Sequence, residues 1–175
     1  KQRGLSTYVA FIDMEKAFDR VDRDLLFYKL LSMGIGGKVY NCIKNMYDGC
    51  KASINLNGHI TESFMTEFGV KQGDCLSPTL FGLFINDMVN DLKTNCVGVH
   101  LGDLIIHCLL YADDIALMAE SEEDLQRMFD VMHSWCKKWR MKVNPQKSNV
   151  VHFRPRSCPR TSFVFLSMVT KSSKR

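Results

Sequence analysis

Two adjacent carboxylates interrupt a hydrophobic hairpin, and this feature restricts the fold of the chain more than any other. Asp113 and Asp114 end a Tyr-Ala-Asp-Asp sequence that lies between two apolar runs, residues 104–110 and 115–119. A tight turn normally combines Asp with Gly or Asn, because those residues tolerate positive φ, and this turn has neither. Two carboxylates held close together repel each other unless a cation lies between them. The tetrapeptide therefore fits half of a hard-metal site, with an ordinary acidic turn as the alternative.

The composition is that of one globular domain with a basic region toward its end. The chain has 175 residues, of which 46% are hydrophobic, and this is enough for a substantial core. Its net charge is only +4, but the basic residues concentrate in the last third. This asymmetry fits a polyanion such as nucleic acid, with a solvated surface as the alternative. The candidate nucleic-acid contacts are Lys137, Lys138, Arg140 and Lys142.

Cysteine use and hydropathy indicate an intracellular protein without a membrane span. The seven cysteines are scattered, with no Cys-x-x-Cys motif and no secretory leader, which favours reduced thiols. His133 and Cys136 lie one helical turn apart and are a candidate zinc pair, although no second ligand pair accompanies them. No apolar run reaches the roughly twenty residues that a membrane helix needs. The chain starts without Met and enters a strand almost at once, so we expect it to be a piece of a longer protein.

Hydrophobic periodicity and turn chemistry predict a mixture of strands and helices. Residues 7–12 are apolar on both faces and stop at Asp13, which predicts a buried strand. Ser77 and Pro78 predict the N-cap and first position of a helix, and Asn57-Gly58 predicts a hairpin turn. The apolar stripe of the last helix is interpreted as core. The predicted strands are 7–12, 52–56, 60–65, 97–101, 104–110, 115–119 and 149–153, with 163–169 as a further candidate, and the predicted helices are 22–33, 39–47, 77–92 and 121–139.

The order of these elements predicts a fold class. If an insertion at about residues 14–74 is set aside, the order is strand, helix, strand, strand, helix, strand, the βαββαβ pattern of a ferredoxin-like α+β fold. This topology brings Asp13, at the end of the first strand, beside Asp113 and Asp114. Residues 72–73 and 144–147 are expected to open at the same edge. Three carboxylates at one edge suit two Mg²⁺ ions and nucleotidyl transfer.

Four ordered motifs resemble those of reverse transcriptases. Residues 11–19, 69–78, 111–114 and 144–147 are similar to motifs A, B, C and D of that family, and their wording is closest to LINE-type (non-LTR) retrotransposon enzymes. The resemblance covers the chain to about residue 165. It implies a ferredoxin-like polymerase palm with partial fingers over residues 1–165, in which the insertion supplies a helical hairpin and a β-hairpin. Residues 166–175 are expected to be a divergent basic tail.

The resemblance implies a catalytic centre and a reaction. Asp13, Asp113 and Asp114 would bind two Mg²⁺ ions, with Mn²⁺ as an alternative, and Lys147 would protonate the pyrophosphate leaving group. The implied reaction is addition of deoxynucleotides to a primer 3′-hydroxyl by two-metal phosphoryl transfer on an RNA template. The resemblance thus predicts an RNA-directed DNA polymerase.

Other residues match the part of the family's motifs that contacts the nucleotide. Phe18 would be a steric gate, because a ring beneath the incoming sugar collides with a 2′-hydroxyl. Gln72 and Gly73 would pack against the nucleotide and the template, since a missing side chain permits close backbone approach. Asp19 belongs to the same motif as Phe18 and is interpreted as structural.

Partners and departures from the family pattern complete the prediction. The implied partners are an RNA template, a DNA primer and deoxynucleoside triphosphates, and lineage places the protein in nucleus and cytoplasm. The chain has no counterpart of the family's amino-terminal fingers, primer grip or thumb. We therefore expect these parts in a parent polyprotein and only weak activity from the chain alone. The alternatives are a truncated or co-opted, non-catalytic nucleic-acid-binding module and an RNA-templated RNA polymerase, which would be expected to avoid a bulky gate at Phe18.

Overall fold

The chain divides into two compact units. The computed structural model describes residues 6–155. The sheet unit contains Lys1–Ala17 and Ile85–Arg175, and the insert unit contains Phe18–Phe84. The elements in chain order are β1 (Thr7–Asp13), α1 (Ala17–Arg20), α2 (Arg23–Ser32), α3 (Gly37–Tyr47), β2 (Lys51–Ala52), β3 (Asn55–Leu56), β4 (His59–Ile60), β5 (Phe64–Met65), α4 (Ser77–Asn95), β6 (Val99–Leu101), β7 (Leu104–Ile106), β8 (Cys108–Tyr111), β9 (Asp114–Ala119), α5 (Glu122–Trp139) and β10 (Asn149–Phe153).

A four-stranded antiparallel sheet lies at the centre of the sheet unit. Its strand order is β10-β1-β9-β8, and each neighbouring pair is antiparallel. Numbered within this sheet alone, the strands stand in the order fourth, first, third, second, which is the ferredoxin-like arrangement. The helices α4 and α5 occupy the two helical places of the βαββαβ pattern. The predicted α+β fold is confirmed.

One face of the sheet is buried and the opposite face is open. Ala10 and Leu117 pair across β1 and β9, and both are 0% exposed. The α5 helix packs against these two strands, and its buried residues confirm the interpretation of its apolar stripe as core: Leu125, Met128, Phe129, Met132, Trp135, Cys136 and Trp139. Phe11 and Leu109 are 47% and 55% exposed. An antiparallel sheet tolerates this asymmetry because side chains alternate between its faces.

Helices and short hairpins form the insert unit. The α2 helix starts after Asp22, whose carboxylate accepts hydrogen bonds from the backbone N–H groups of Asp24 and Leu25 at 3.1 and 3.3 Å. The predicted hairpin turn is confirmed, because Asn57 and Gly58 connect the paired strands β3 and β4 with φ values of 52° and 91°. Both residue types tolerate this left-handed conformation at low cost. The β2 and β5 strands pair beyond that hairpin as a second short ladder.

The structure corrects four local predictions. The predicted strands 52–56 and 60–65 are each divided into two short strands, β2 and β3 in the first and β4 and β5 in the second. Residues 104–110 are two strands rather than one, because β7 pairs with β6 while β8 pairs with β9, and the chain changes partner at His107. Ser77 is the first residue of α4 rather than its predicted N-cap, because the carbonyl oxygen of Leu76 already accepts from the N–H of Leu80 at 3.0 Å; the Ser77 hydroxyl donates to the carbonyl oxygen of Lys71 at 2.6 Å. The α1 helix was not predicted, because its 4 residues are too few to show a helical period.

The remaining predictions concern the C-terminal part, membrane spans and thiols. The candidate strand at 163–169 and the basic tail at 166–175 lie outside the described residues. No helix within residues 6–155 is long and apolar enough to cross a membrane. Six cysteines in the same range are free, and the prediction of reduced thiols stays a prediction.

Candidate functional site

Two of the three candidate metal ligands face each other across neighbouring strands. Asp13 is the last residue of β1 and pairs with Asp114, the first residue of β9. Directly opposed residues of an antiparallel pair lie on the same face of the sheet. Asp113 lies in the β8–β9 turn after Ala112, whose φ is 52°. The sheet register therefore brings Asp13 and Asp114 together, with Asp113 in the adjoining turn.

The chemistry of these donors suits a hard cation, although they do not form a closed metal site. All three are carboxylates, and oxygen ligands favour Mg²⁺, Ca²⁺ or Mn²⁺ over softer metals. In the part of the chain that the structure describes, no group of three His, Cys, Asp or Glu side chains converges closely enough to hold an ion. Asp114 is exposed, whereas Asp13 and Asp113 are half-buried. The site is thus a pair of opposed carboxylates with a third beside it.

The backbone of Asp13 is fixed by a turn that is remote in sequence. Its N–H donates to the hydroxyl oxygen of Ser148 at 3.1 Å, and its carbonyl oxygen accepts from the N–H of Asn144 at 2.8 Å. The Ser148 side chain is only 3% exposed, and its hydroxyl in turn donates to the carbonyl oxygen of Asn144 at 2.8 Å. Residues Asn144 and Ser148 therefore hold the end of β1 through both the N–H and the carbonyl group of Asp13.

Sequence reasoning missed this support. It placed residues 144–147 at the same edge as Asp13 but did not single out Asn144 or Ser148 as supports of its backbone. A local signal for the turn was present, because the side chain of Asn144 accepts from the N–H of Gln146 at 3.1 Å, a turn geometry that Asn favours. The partner of Ser148 had no such signal, since it is Asp13, 135 positions away.

An open groove of about 460 Å³ runs along the carboxylate pair. Asp13, Asp114 and Lys147 contribute its charged groups, and Lys147 is exposed. The ring of Tyr111 also borders the groove and is 83% exposed. The apolar part of its lining consists of Phe11, Ile12, Leu109, Leu110, Ile115 and Ala116. The groove therefore combines acidic groups, one ammonium group and an apolar wall.

The three candidate nucleotide contacts lie in the insert unit. Phe18 is half-buried and stacks on Phe81, with 4.9 Å between ring centroids and 29° between ring planes. Gln72 is exposed, and its side-chain nitrogen donates to a carboxylate oxygen of Asp19 at 2.8 Å. Gly73 has a φ of +82°, a conformation that side chains other than glycine rarely adopt. A Cβ at Gly73 would meet nothing within 4 Å, so the backbone conformation, rather than space, favours glycine here.

The candidate nucleic-acid contacts lie at and just after the end of α5. All four basic side chains are exposed. Lys138 lies over the ring of Trp139, 4.9 Å from its centroid, and Arg140 ends the helix in the left-handed conformation with a φ of 59°. The carbonyl oxygen of Lys142 accepts from the N–H of Glu15 at 2.8 Å, which joins this segment to the chain just after β1. The structure thus presents a basic surface, called the α5 basic cluster, of Lys137, Lys138, Arg140 and Lys142.

The structure gives no support to the candidate zinc pair, because no group of three potential metal ligands converges within residues 6–155. His133 is exposed on α5, whereas Cys136 is buried. Burial raises the pKa of the Cys136 thiol to about 12, and a metal-binding cysteine must be a thiolate. Residues one turn apart on a helix do not have equal exposure when the edge of the apolar stripe falls between them.

Comparisons with known proteins identify what the chain is similar to. A family model described as reverse transcriptase (RNA-dependent DNA polymerase) matches residues 1–170. The chain is 34% identical over 157 residues to the RNA-directed DNA polymerase from mobile element jockey of Drosophila funebris, covering 85% of this chain and 17% of that protein. It is 32% identical over 142 residues to the Pol polyprotein from type-2 retrotransposable element R2DM of Drosophila melanogaster, covering 81% and 13% respectively. The chain thus spans less than a fifth of the length of these relatives.

A solved structure supports the same fold. Telomerase from Candida tropicalis, truncated from its C-terminal domain, superposes with a TM-score of 0.66 over 91% of this chain and 33% of that chain. The sequences are only 17% identical, so the likeness is one of fold. It agrees with the antiparallel sheet order and the two helices of the βαββαβ pattern.

Proposed function

This chain belongs to the reverse transcriptase family, and from that premise we propose that it carries the catalytic centre of an RNA-directed DNA polymerase of the LINE-type (non-LTR) retrotransposon group. The relatives that support this group are the mobile-element polymerases of similar sequence. The reaction is addition of a deoxynucleotide to a primer 3′-hydroxyl on an RNA template, with release of pyrophosphate. The observation that carries the proposal is the register that pairs Asp13 with Asp114.

In this proposal Asp13, Asp113 and Asp114 hold two Mg²⁺ ions, for which Mn²⁺ can substitute. Reverse transcriptases generally use divalent metal ions, and the all-carboxylate donor set fits them. When bound, such ions stabilise the charge that develops on the attacking and leaving oxygens of phosphoryl transfer. The contribution of the chain is to hold Asp13 and Asp114 at the paired ends of the two central strands, β1 and β9, which limit the movement of their side chains.

Lys147 is proposed as the proton donor to the leaving pyrophosphate. It borders the same groove as Asp13 and Asp114 and is exposed. The ammonium group also lowers the local negative charge that an incoming triphosphate meets. Phosphoryl transfer depends mainly on positioning and electrostatic stabilisation. The Lys147 ammonium group would therefore stabilise the negative charge of the leaving pyrophosphate.

The insert unit supplies the residues that we propose contact the nucleotide. Phe18 selects deoxynucleotides, because its ring leaves no room for a 2′-hydroxyl. Gln72 and Gly73 contact the nucleotide and template; the space around Gly73 is open, since a Cβ there would meet nothing within 4 Å, and the absent side chain leaves room for their approach. The α5 basic cluster contacts phosphate groups of the primer and template by attraction that is independent of sequence.

Metal-dependent stabilisation tests the proposed catalytic centre. Thermal unfolding is measured with and without MgCl₂ or MnCl₂ for the wild type, Asp113→Asn and Asp103→Asn. Asp103 is a matched control, because it is an exposed aspartate in the β6–β7 hairpin turn of the same unit. At a metal concentration about ten times Kd, mass action predicts roughly 1.4 kcal/mol of stabilisation. We expect the wild type and Asp103→Asn to gain this stability and Asp113→Asn to lose most of the gain.

Two results would contradict the proposal. The first is a wild type that gains no stability from either metal, which would favour a non-catalytic nucleic-acid-binding module. The second is an unchanged metal effect in Asp113→Asn. Primer extension on an RNA template gives a second measurement, in which we expect weak extension by the chain alone and none by Asp113→Asn. Equal incorporation of ribonucleotides and deoxynucleotides would favour an RNA polymerase.

A further inference from the structure

The loop that carries Gln72 is joined to the segment that carries Phe18 by backbone hydrogen bonds. The N–H of Val70 donates to the carbonyl oxygen of Phe18 at 2.9 Å, and the N–H of Gly69 donates to that of Val21 at 2.8 Å. Gly69 has a φ of +85°, and a Cβ there would lie 3.1 Å from the Cα and carbonyl oxygen of Asp19. A side chain there would push this backbone apart by a few tenths of an ångström and would have to adopt a φ that residues other than glycine rarely adopt, so the approach favours glycine. The two segments meet at Asp19.

A buried guanidinium group also fixes the loop that carries Gln72. Arg23 is 9% exposed, and its side chain donates to the carbonyl oxygens of Gly69 at 2.9 Å, of Phe68 at 3.1 Å and of Thr66. The guanidinium also lies 5.1 Å from the centroid of the Tyr47 ring. A buried charge is tolerated only when its donors are satisfied. The three carbonyl oxygens accept the hydrogen bonds of the Arg23 guanidinium. Arg23 therefore fixes the backbone of residues 66–69, which precedes Gln72.

The carboxylate of Asp19 determines which end of the Gln72 amide faces it. The side-chain nitrogen of Gln72 donates to Asp19 at 2.8 Å. An ionised carboxylate accepts hydrogen bonds but cannot donate them, so the amide oxygen cannot take the place of the nitrogen in this contact. That oxygen is therefore left as an acceptor for a group other than Asp19.

We propose that Asp19 is a positioning residue of the nucleotide site, which orients the Gln72 amide so that its oxygen accepts a hydrogen bond from the incoming nucleotide. The donor on the nucleotide is a sugar hydroxyl or a base amino group. This inference rests on the proposed function, because Gln72 is assigned to the nucleotide site there. It replaces the interpretation of Asp19 as a structural residue. The substitution that separates the two roles is Asp19→Asn, which keeps the shape but can donate as well as accept.

The first test observes the amide itself. The side-chain NH₂ signal of Gln72 is recorded by ¹⁵N NMR and assigned by its loss in Gln72→Ala. We expect Asp19→Asn to shift this signal and to speed its exchange with solvent, because a charge-assisted bond is replaced by a weaker one. Asp24→Asn is the matched control, since it removes the same charge from an exposed position in the first turn of α2 in the insert unit; its spectrum should keep the Gln72 signal in place. An unmoved Gln72 signal in Asp19→Asn would overturn the inference.

The second test asks whether the contact serves nucleotide binding. Unmodified dATP, which keeps its 3′-hydroxyl and base amino group, is the probe; it is titrated, with Mg²⁺ present, into the wild type, Asp19→Asn, Gln72→Ala and the double variant, and binding is measured by isothermal titration calorimetry. We expect Asp19→Asn to weaken binding roughly fivefold, the effect of one hydrogen bond. The double variant should bind no more weakly than Gln72→Ala, because Asp19 acts only through Gln72.

The outcomes distinguish this inference from the proposed function. Additive losses in the double variant would overturn the positioning role of Asp19, even if the wild type binds the probe well. A wild type that does not bind the probe at all would contradict the proposed function and the nucleotide part of this inference. The NMR result still decides whether Asp19 orients Gln72 in that case.

Discussion

At the scale of single residues, the position of Asp13 depends on neighbours that carry no charge. Its side chain belongs to the candidate metal site, but its backbone is held by Ser148 and Asn144. The Ser148 hydroxyl is both acceptor and donor, because it accepts from Asp13 and donates to Asn144. A hydroxyl is one of the few side-chain groups that can do both at once. Ser148, the residue after Lys147, thus links the segment that carries Lys147 to the end of β1 that carries Asp13.

Replacing Ser148 with Ala is expected to destabilise the fold by about 1–3 kcal/mol, because the N–H of Asp13 loses its acceptor in a part-buried position. The free energy of unfolding is measured by urea denaturation. Ser134→Ala is the control: its hydroxyl donates to the carbonyl oxygen of Asp130 on the exposed side of α5, and its loss should be neutral or slightly stabilising in a helix. Equal changes in the two variants would show that Ser148 does not support Asp13.

At the scale of elements, the segment between α4 and β9 forms two ladders in place of one long strand. The β6–β7 hairpin starts after Gly98, where a Cβ would lie 2.6 Å from the carbonyl oxygen of Ile106. No real Cβ approaches a backbone atom so closely without movement. The break at His107 then lets β8 pair with β9, and the carbonyl oxygen of His107 accepts from the N–H of Met118 at 2.9 Å. Glycine at position 98 therefore allows the chain to fold back before it enters the sheet.

Two glycine substitutions test this requirement in opposite directions. Gly98→Ala should lower the free energy of unfolding by about 1–3 kcal/mol, because the hairpin must shift to avoid overpacking. Gly82→Ala should raise it by about 0.5–1 kcal/mol, since Gly82 lies exposed inside α4. A Cβ at Gly82 would meet nothing within 4 Å. Thermal and urea unfolding of both variants provide the measurement, and a neutral or stabilising Gly98→Ala would contradict the close approach.

At the scale of the whole molecule, the modest net charge of +4 conceals an uneven distribution. The α5 basic cluster concentrates positive charge in the sheet unit, next to the segment that leads to Asn144 and Lys147. Helix α3 of the insert unit also carries exposed lysines, Lys38 and Lys44. If net charge alone attracts the polyanion, removing two lysines from either set should weaken its binding equally. If the α5 basic cluster is the binding surface, only its lysines should matter.

Salt dependence separates these two cases. The Kd for a labelled single-stranded RNA is measured over a range of NaCl concentrations for the wild type, the double variant Lys137→Ala with Lys138→Ala, and the double variant Lys38→Ala with Lys44→Ala. Loss of two phosphate contacts should reduce the slope of log K against log salt by roughly 1.4. We expect this reduction only for the α5 variant. The same reduction in both variants would mean that net charge, and no particular surface, attracts the RNA.

The sequence by itself determined the elements whose signals are local. The apolar stripe of α5, the Asn57-Gly58 turn and the buried strand that ends at Asp13 were predicted from residues close together in the chain. The order of these elements was sufficient to predict a ferredoxin-like fold, since few topologies connect them without crossing. It also predicted that Asp13 would approach the Asp113–Asp114 turn. The roles assigned to the metal, nucleotide and nucleic-acid contacts stay predictions.

The tertiary structure decided the register and the contacts that support the site. It is Asp114, rather than Asp113, that pairs with Asp13, and a slip of one residue would turn the carboxylates to the other face of the sheet. The hydrogen bond from Asp13 to Ser148 spans 135 positions, and that from Gln72 to Asp19 spans 53. Local periodicity carries no information about such distant partners, because they meet only after strands and loops have packed. The tertiary fold alone therefore fixed the hydrogen bonds that hold the backbone of Asp13 and the side chain of Gln72.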